Sequence, residues 1–272
     1  MAQISDRYDR YKELKLALAG GIMTISLSNP GKKNAVTPDM SEELTTVWDD
    51  VLRDPAVRLI VLTGEGSDFC AGADFSQLVA SEGGEPTPRP VHPIVRSVRR
   101  HMLSMLDCEK PVLAKVRGAA YGIGASLALG CDMVFAARGA RFCDPHVKAG
   151  LVAGDGGILL WPALIGMGRA KEYLMTGDPV DAETAASIGL ITRCVEEDDL
   201  DRTVQAMADK LLALPPHAVN YTKTALNLAL RQMTGPAFEA SLAYEIYSMT
   251  MEDSREAARA FVEKRKGNFT GT

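Results

Sequence analysis

Between residues 14 and 137 the chain alternates strand-like and helix-like segments, and this alternation limits its fold more than any other feature. Residues 14–18 alternate in polarity, Gly20-Gly21 supplies a turn, and residues 22–28 alternate again, which predicts a β-hairpin. Thr37-Pro38 reads as a helix start, with Thr37 as N-cap and Pro38 at the first helical position. Met40, Leu44, Val47 and Val51 then keep helical spacing until Asp54-Pro55 stops the pattern. Strand patterns at 57–63, 111–116 and 131–137 are separated by helical patterns at 94–106 and after 118. Such an order predicts βαβ units with largely parallel pairing. Beyond Ala137 the strand signal fades, and helices are expected at 170–176, 181–188, 199–214, 217–232, 236–251 and 254–266. The expected organisation is an α/β core over residues 1–200 and a helical region over 201–272. Residues 81–93, rich in glycine, proline and charge, read as a mobile surface loop within the core.

Composition removes several classes of function. With 46% hydrophobic and 24% charged residues, the chain is too apolar for disorder. Its net charge of −5, from 30 basic against 35 acidic residues, disfavours a duplex nucleic-acid binder. No apolar run reaches the ~18 residues that a transmembrane helix needs, so no membrane partner is expected. The polar start of the chain lacks the apolar stretch of a secretory signal. Five scattered cysteines fit free thiols in a reducing cytoplasm.

Two glycine-rich elements carry the chemical signal. Asp68-Phe69-Cys70-Ala71-Gly72-Ala73-Asp74 follows a strand, and the next residues, 75–80, can begin a helix. Gly118-Ala119-Ala120-Tyr121-Gly122-Ile123-Gly124-Ala125-Ser126 repeats the strand–turn–helix order. Helix N-termini offer free N–H groups and a dipole favourable to negative charge. Two such donors facing one point make an oxyanion hole. Either turn alone is equally compatible with glycines that serve only positive φ and packing.

Taken together, the elements resemble the crotonase (enoyl-CoA hydratase/isomerase) superfamily. Phe69-Cys70-Ala71-Gly72-Ala73-Asp74 is similar to its F-x-A-G-x-D element, and 117–124 to its second oxyanion turn. Cys131-Asp132-Met133, the loop 150–157, Thr176-Gly177 with Ala182, Ala185, Gly189 and Leu190, and the C-terminal 261–266 resemble further family elements in the same order. The resemblance implies a crotonase-like α/β core, a spiral of ββα turns, with a C-terminal helical trimerisation region. It implies an acyl-CoA substrate, with coenzyme A as part of that substrate and no separate cofactor. It also implies that the backbone N–H groups of Ala73 and Ile123 hold the thioester oxygen. Most members carry glycine where Ile123 stands, so its side chain must point away or narrow the pocket. Coenzyme A is expected near Lys33, Ala35, Ala71 and Asp74, with Phe261 and Lys264 reaching in from a neighbouring subunit of a homotrimer or hexamer.

The departures from the family pattern are informative. Hydratases of the family hold and activate water with two glutamates, and those positions fall on Ser126 and His146. General acid–base work needs a titratable group within hydrogen-bond reach of the moving proton. Histidine can serve, whereas serine alone is a poor base. Asp155, flanked by glycines in the loop 150–157, is the carboxylate best placed to move a proton; it can also be a helix N-cap. The expected activity is therefore an enoyl-CoA reaction through a thioester enolate, isomerisation or hydration, with Asp155, His146 and Ser126 as candidates. Other readings are an acyl-CoA hydrolase or acyl-transfer enzyme using a Ser126–His146–Asp155 relay, and a non-catalytic acyl-CoA binder. Cys143 and His146 can be drawn as a thiol–imidazole pair or a metal corner, but no second ligand pair has metal spacing, so no metal is expected. Met102, Met105, Met167 and Met175 read as core or pocket lining.

Overall fold

Gly20 and Gly21, at φ 59° and 83°, turn strand β1 (Leu14–Ala19) back onto β2 (Ile22–Leu27). Two consecutive residues at positive φ are the geometry a tight hairpin requires. The computed structural model describes residues 6–74 and 91–272. Strands β3 (Leu59–Gly64), β4 (Val112–Val116), β6 (Met133–Ala137) and β9 (Arg193–Val195) extend the sheet in the order β1-β2-β3-β4-β6-β9, and every pair after the hairpin is parallel. Helix α1 (Pro38–Arg53) begins as expected, its Met40 N–H donating to Thr37 Oγ1 at 3.0 Å. It buries Met40, Leu44, Val47, Trp48 and Val51 against one face of the sheet. Helix α2 (Val91–Asp107) packs on α1. It starts at Val91, so residues 91–93 are helical and not part of a loop; residues 75–90, with the expected helix start, lie outside the described residues.

The opposite face of the sheet presents Leu59, Val61, Leu113, Phe135 and Ala137 to Leu200, Val204 and Ala208 of α6 (Leu200–Leu212). Helix α6 thus covers the sheet. A second sheet, unread in the sequence, joins β5 (Ala119–Tyr121), β7 (Arg141–Cys143) and β8 (Val180–Asp181). Its strands of two or three residues are too short to display alternation.

Helix α3 (Ile123–Leu129) is buried throughout, which its small residues permit. Helix α4 (Gly157–Thr176) is broken at Gly166, and α5 (Ala182–Ser187) is capped by Asp181. The two helices expected at 217–232 and 236–251 are one, α7 (Pro216–Ser248), which runs through the exposed Pro236. A proline ring tolerates helical φ and loses one N–H bond, so packing of the flanking turns overrides the break. Helix α8 (Glu252–Val262) follows.

Candidate active site

The two glycine turns are stitched together. Cys70 N–H donates to Ala119 O at 2.8 Å, and Tyr121 N–H to Cys70 O at 2.9 Å. A Cβ on Gly72, at φ 106°, would sit 3.2 Å from Tyr121 O, so only glycine lets the turns approach. Gly122, at φ 52° and ψ −124°, occupies a region closed to other residues and aims the start of α3. Among the described residues, neither Ala73 N–H nor Ile123 N–H donates to a backbone carbonyl. Ile123 stands in the first turn of α3, where amides lack intrahelical acceptors. Its side chain lies in the hydrophobic core, so it points away from the turn.

Behind this ledge lies a buried cluster of acids around one imidazole. Ser126, fully buried in α3, donates its Oγ to Asp155 Oδ1 at 3.0 Å. Gly156, at φ 133°, makes room: a Cβ there would lie 2.7 Å from Ser126 Cβ. His146 follows β7 in a short 3-10 turn (His146–Ala149). Its Nε2 faces Asp155 Oδ2 at 3.4 Å and its Nδ1 lies 2.5 Å from Asp144 Oδ1. Glu245, from α7, places Oε1 3.8 Å from the same Nε2. A Cβ on Gly122 would be 3.9 Å from His146 Cε1, so the imidazole borders the turn that presents Ile123 N–H.

Burial alone would lower the acidity range of His146. The Asp155 charge, with the bonds to Asp144 and Asp155, outweighs it and holds the ring well above its ordinary value. The imidazolium then donates from both nitrogens. Burial, followed by the Asp155 charge, pushes the Glu245 carboxyl up to about 8, against the pull of His146.

Asp155 does not act as a helix cap: the N-cap of α4 is Gly156, without a side-chain bond. The Ser126–His146–Asp155 relay for acyl transfer is not formed either, because Ser126 Oγ bonds Asp155 directly. Cys143 Sγ turns toward Gly177 O at 3.3 Å, and burial pushes the thiol up to about 11, so it makes no pair with His146. Asp144, His146 and Asp155 bring ligand atoms within 4.8 Å of one another. Both imidazole nitrogens face carboxylates, Nδ1 toward Asp144 and Nε2 toward Asp155. Met102 and Met105 are buried, but Met167 and Met175 are exposed and line no core.

Of the residues expected near coenzyme A, Lys33 and Ala71 are joined through their backbones, and Asp74 N–H donates to Val36 O, next to Ala35, at 2.9 Å. Asn34 Nδ2 donates to Glu65 O and Asp68 O at 2.9 and 2.8 Å, and Ala71 N–H donates to Lys33 O at 3.0 Å. Lys33 and Asn34 hold positive φ of 49° and 56° in this seam. Phe261, 86% exposed, and Lys264 stand at the far end of the chain, with no hydrogen bond or ion pair to the seam among the described residues. The sequence reading missed Asp144 and Glu245. Asp144 stands two residues before His146, a spacing that puts a carboxylate within reach of Nδ1. Glu245 sits in an ordinary helical pattern, and its one signal is Gly154, where a Cβ would lie 2.3 Å from Glu245 Oε2.

The sequence profile described as enoyl-CoA hydratase/isomerase matches residues 18–272. The chain belongs to this family. The 1,2-epoxyphenylacetyl-CoA isomerase of Escherichia coli is 33% identical over 251 residues, covering 92% of this chain and 95% of that one. The short-chain-enoyl-CoA hydratase of Clostridium acetobutylicum is 35% identical over 250 residues, covering 91% and 93%. A crystal structure of an enoyl-CoA hydratase/isomerase from Mycobacterium paratuberculosis superposes with a TM-score of 0.84 at 36% identity, over 93% of this chain and 99% of that one. The crotonase-like α/β core with its helical C-terminal region is thus the family fold.

Proposed function

We propose that this acyl-CoA enzyme shifts a proton along an enoyl-CoA or related thioester, an isomerase-type reaction with Asp155 as the base. The observation that carries the reading is the chain Ser126–Asp155–His146, buried beside the turn that presents Ile123 N–H. Asp155 takes a proton from the carbon α or γ to the thioester, and electron density moves onto the thioester oxygen. The N–H groups of Ala73 and Ile123 hold that oxygen as it becomes an enolate. The protonated Asp155 returns the proton at the other carbon, so the double bond moves and no water is added. The thioester acidifies its own α-proton, so no cofactor beyond coenzyme A in the substrate takes part. Ser126 and His146 stand where the resembled hydratases carry glutamates, so neither position offers a carboxylate to activate water.

Two coarser features complete the proposal. Coenzyme A lies along the seam of Lys33, Ala35, Ala71 and Asp74, and Phe261 and Lys264 complete its site from a neighbouring protomer. The enzyme assembles as a trimer or dimer of trimers in the cytoplasm. Tyr221, Leu226, Met233, Tyr244 and Tyr247 of α7, each more than 60% exposed, support self-association. No helix among the described residues is long and apolar enough to cross a membrane.

The test is incubation with 2-enoyl, 3-enoyl and branched acyl-CoAs in deuterated water, with products identified by mass and NMR. Double-bond migration with solvent deuterium is expected. Asp155→Asn should cut it by ~10²–10⁴-fold in a protein that stays folded and binds acyl-CoA. Hydration of crotonyl-CoA at the ~10⁴–10⁸ M⁻¹s⁻¹ of efficient enzymes would overturn the reading.

A further inference from the structure

Helix α7 is joined to the loop that carries Asp155 at successive points. Val152 N–H lies 3.2 Å from Ser248 Oγ. Gly154 packs so tightly that a Cβ would meet Glu245 Oε2 at 2.3 Å, Glu245 Cβ at 2.8 Å and Ser241 O at 2.8 Å. The absence of a side chain at 154 is therefore what seats the Glu245 carboxyl. That seat leaves Oε1 3.8 Å from His146 Nε2, the nitrogen that also faces Asp155 Oδ2 at 3.4 Å. One N–H thus stands between two carboxyl groups. We propose that Glu245 is a positioning residue of the acid–base centre, acting through His146 by competing with Asp155 for the proton on Nε2.

The charge balance of the pocket explains how this works. The groups that act electrostatically on Glu245 are Asp155 from the loop, and His146 and Asp144 from the segment after β7. His101 on α2, which feels the Asp155 charge, is held neutral by burial, at about 4. Among the described residues no lysine or arginine forms an ion pair with Glu245. If all three acids were ionised around one imidazolium, the buried pocket would carry two uncompensated negative charges, which a poorly solvated site resists. Glu245 therefore keeps its proton at neutral pH, up to about 8. In that state Nε2–H points to Asp155 and fixes its free oxygen. Above it, the ionised Glu245 draws the same N–H away, and Asp155 loses its orienting partner. The site consequently works best while Glu245 is neutral.

This inference rests on the reading of Asp155 as the base, and the experiment separates the two. The pH profile of kcat/KM for double-bond migration is measured for the wild type, Glu245→Gln, Glu245→Ala and Asp155→Asn, with acyl-CoA binding and thermal melting recorded for each. A fall in the wild-type profile near pH 8 is expected, and Glu245→Gln, which cannot ionise, should lose that fall. Glu245→Ala, which cannot ionise either, should lose the same fall, with KM little changed. Should Glu245→Gln fold poorly, Gly154→Ala, which displaces the carboxyl from its seat, must remove the same limb. A protonated-carboxyl infrared band present at pH 7 and absent in Glu245→Gln gives a reading independent of turnover. A limb near pH 8 that persists in Glu245→Gln and Glu245→Ala overturns the inference. If Asp155→Asn retains turnover, the underlying assignment of the base falls instead.

Discussion

A buried hydroxyl must find an acceptor, and at Ser126 that acceptor is one oxygen of Asp155. The bond fixes one side of the carboxylate, while His146 fixes the other. Ser126→Ala keeps nearly the same volume and removes only the donor. It leaves a buried carboxylate oxygen short of a partner, at a cost of about 1–3 kcal/mol, part of it as lost orientation. Turnover should fall by roughly 10- to 100-fold with acyl-CoA affinity little changed, as read from steady-state kinetics beside calorimetric binding. Unchanged turnover would reduce Ser126 to packing. The acids also set how stability varies with pH. The folded value of Glu245, about 8, lies above its ordinary 4.5, so its contribution is fully present below 4.5 and is lost as pH rises through about 8. His146, raised well above 6.5, acts in the same sense: its contribution is full below 6.5 and lost toward its raised folded value. The melting temperature should fall between pH 6 and pH 9 by calorimetry, and the fall should be shallower in Glu245→Gln.

At the scale of elements, the turn at Gly122 does more than reverse the chain. Its φ of 52° and ψ of −124° set the start of α3, and a Cβ there would lie 3.9 Å from His146 Cε1. Gly122→Ala introduces strain of about 1–3 kcal/mol and tilts the first amide of α3. Turnover should drop by more than the loss of stability accounts for, a comparison of kcat with the melting temperature. Elements of this kind were legible in the sequence because glycine positions report backbone geometry directly. The Gly20-Gly21 hairpin, the Thr37-Pro38 helix start and both glycine turns were read from local chemistry that the fold does not override. The strands β5, β7 and β8 were not, since pairing between distant residues creates them and two or three residues show no period. The break expected before Pro236 failed for a related reason: Phe238 and Leu242 bury themselves on the same face as Thr234 and carry the helix through. Asp155 was legible as a carboxylate between glycines, whereas Glu245 depends on α7 lying against that loop, a tertiary fact with no local mark beyond Gly154.

For the whole molecule, the apolar residues exposed on α7 set up a test of the assembly proposed above. Light scattering at micromolar concentration should give a trimer or hexamer, and a stable monomer would count against the assembly proposed above. The charge at the chain end narrows the coenzyme A contact. Arg255 and Arg259 pair with Glu252, and Arg265 with Glu256 and Glu263. Neither Lys264 nor Lys266 forms an ion pair with another described residue, and Lys264 is the one proposed above to meet coenzyme A. Lys264→Ala should weaken coenzyme A binding by roughly 10-fold or more yet barely alter binding of a dephospho-CoA thioester. Equal losses for both ligands would remove Lys264 from the phosphate contact.

The seam between α7 and the Asp155 loop also decides the order in which the molecule comes apart. Helix α7 buries few apolar side chains, chiefly Phe238 and Leu242, whereas the sheet is covered on both faces. This helix is the piece expected to detach first on warming, as a unit of low local stability. Its departure admits water to Asp155, His146 and Asp144 while the strands are still paired. Mild heat should therefore silence the enzyme reversibly, several degrees before circular dichroism records any loss of sheet.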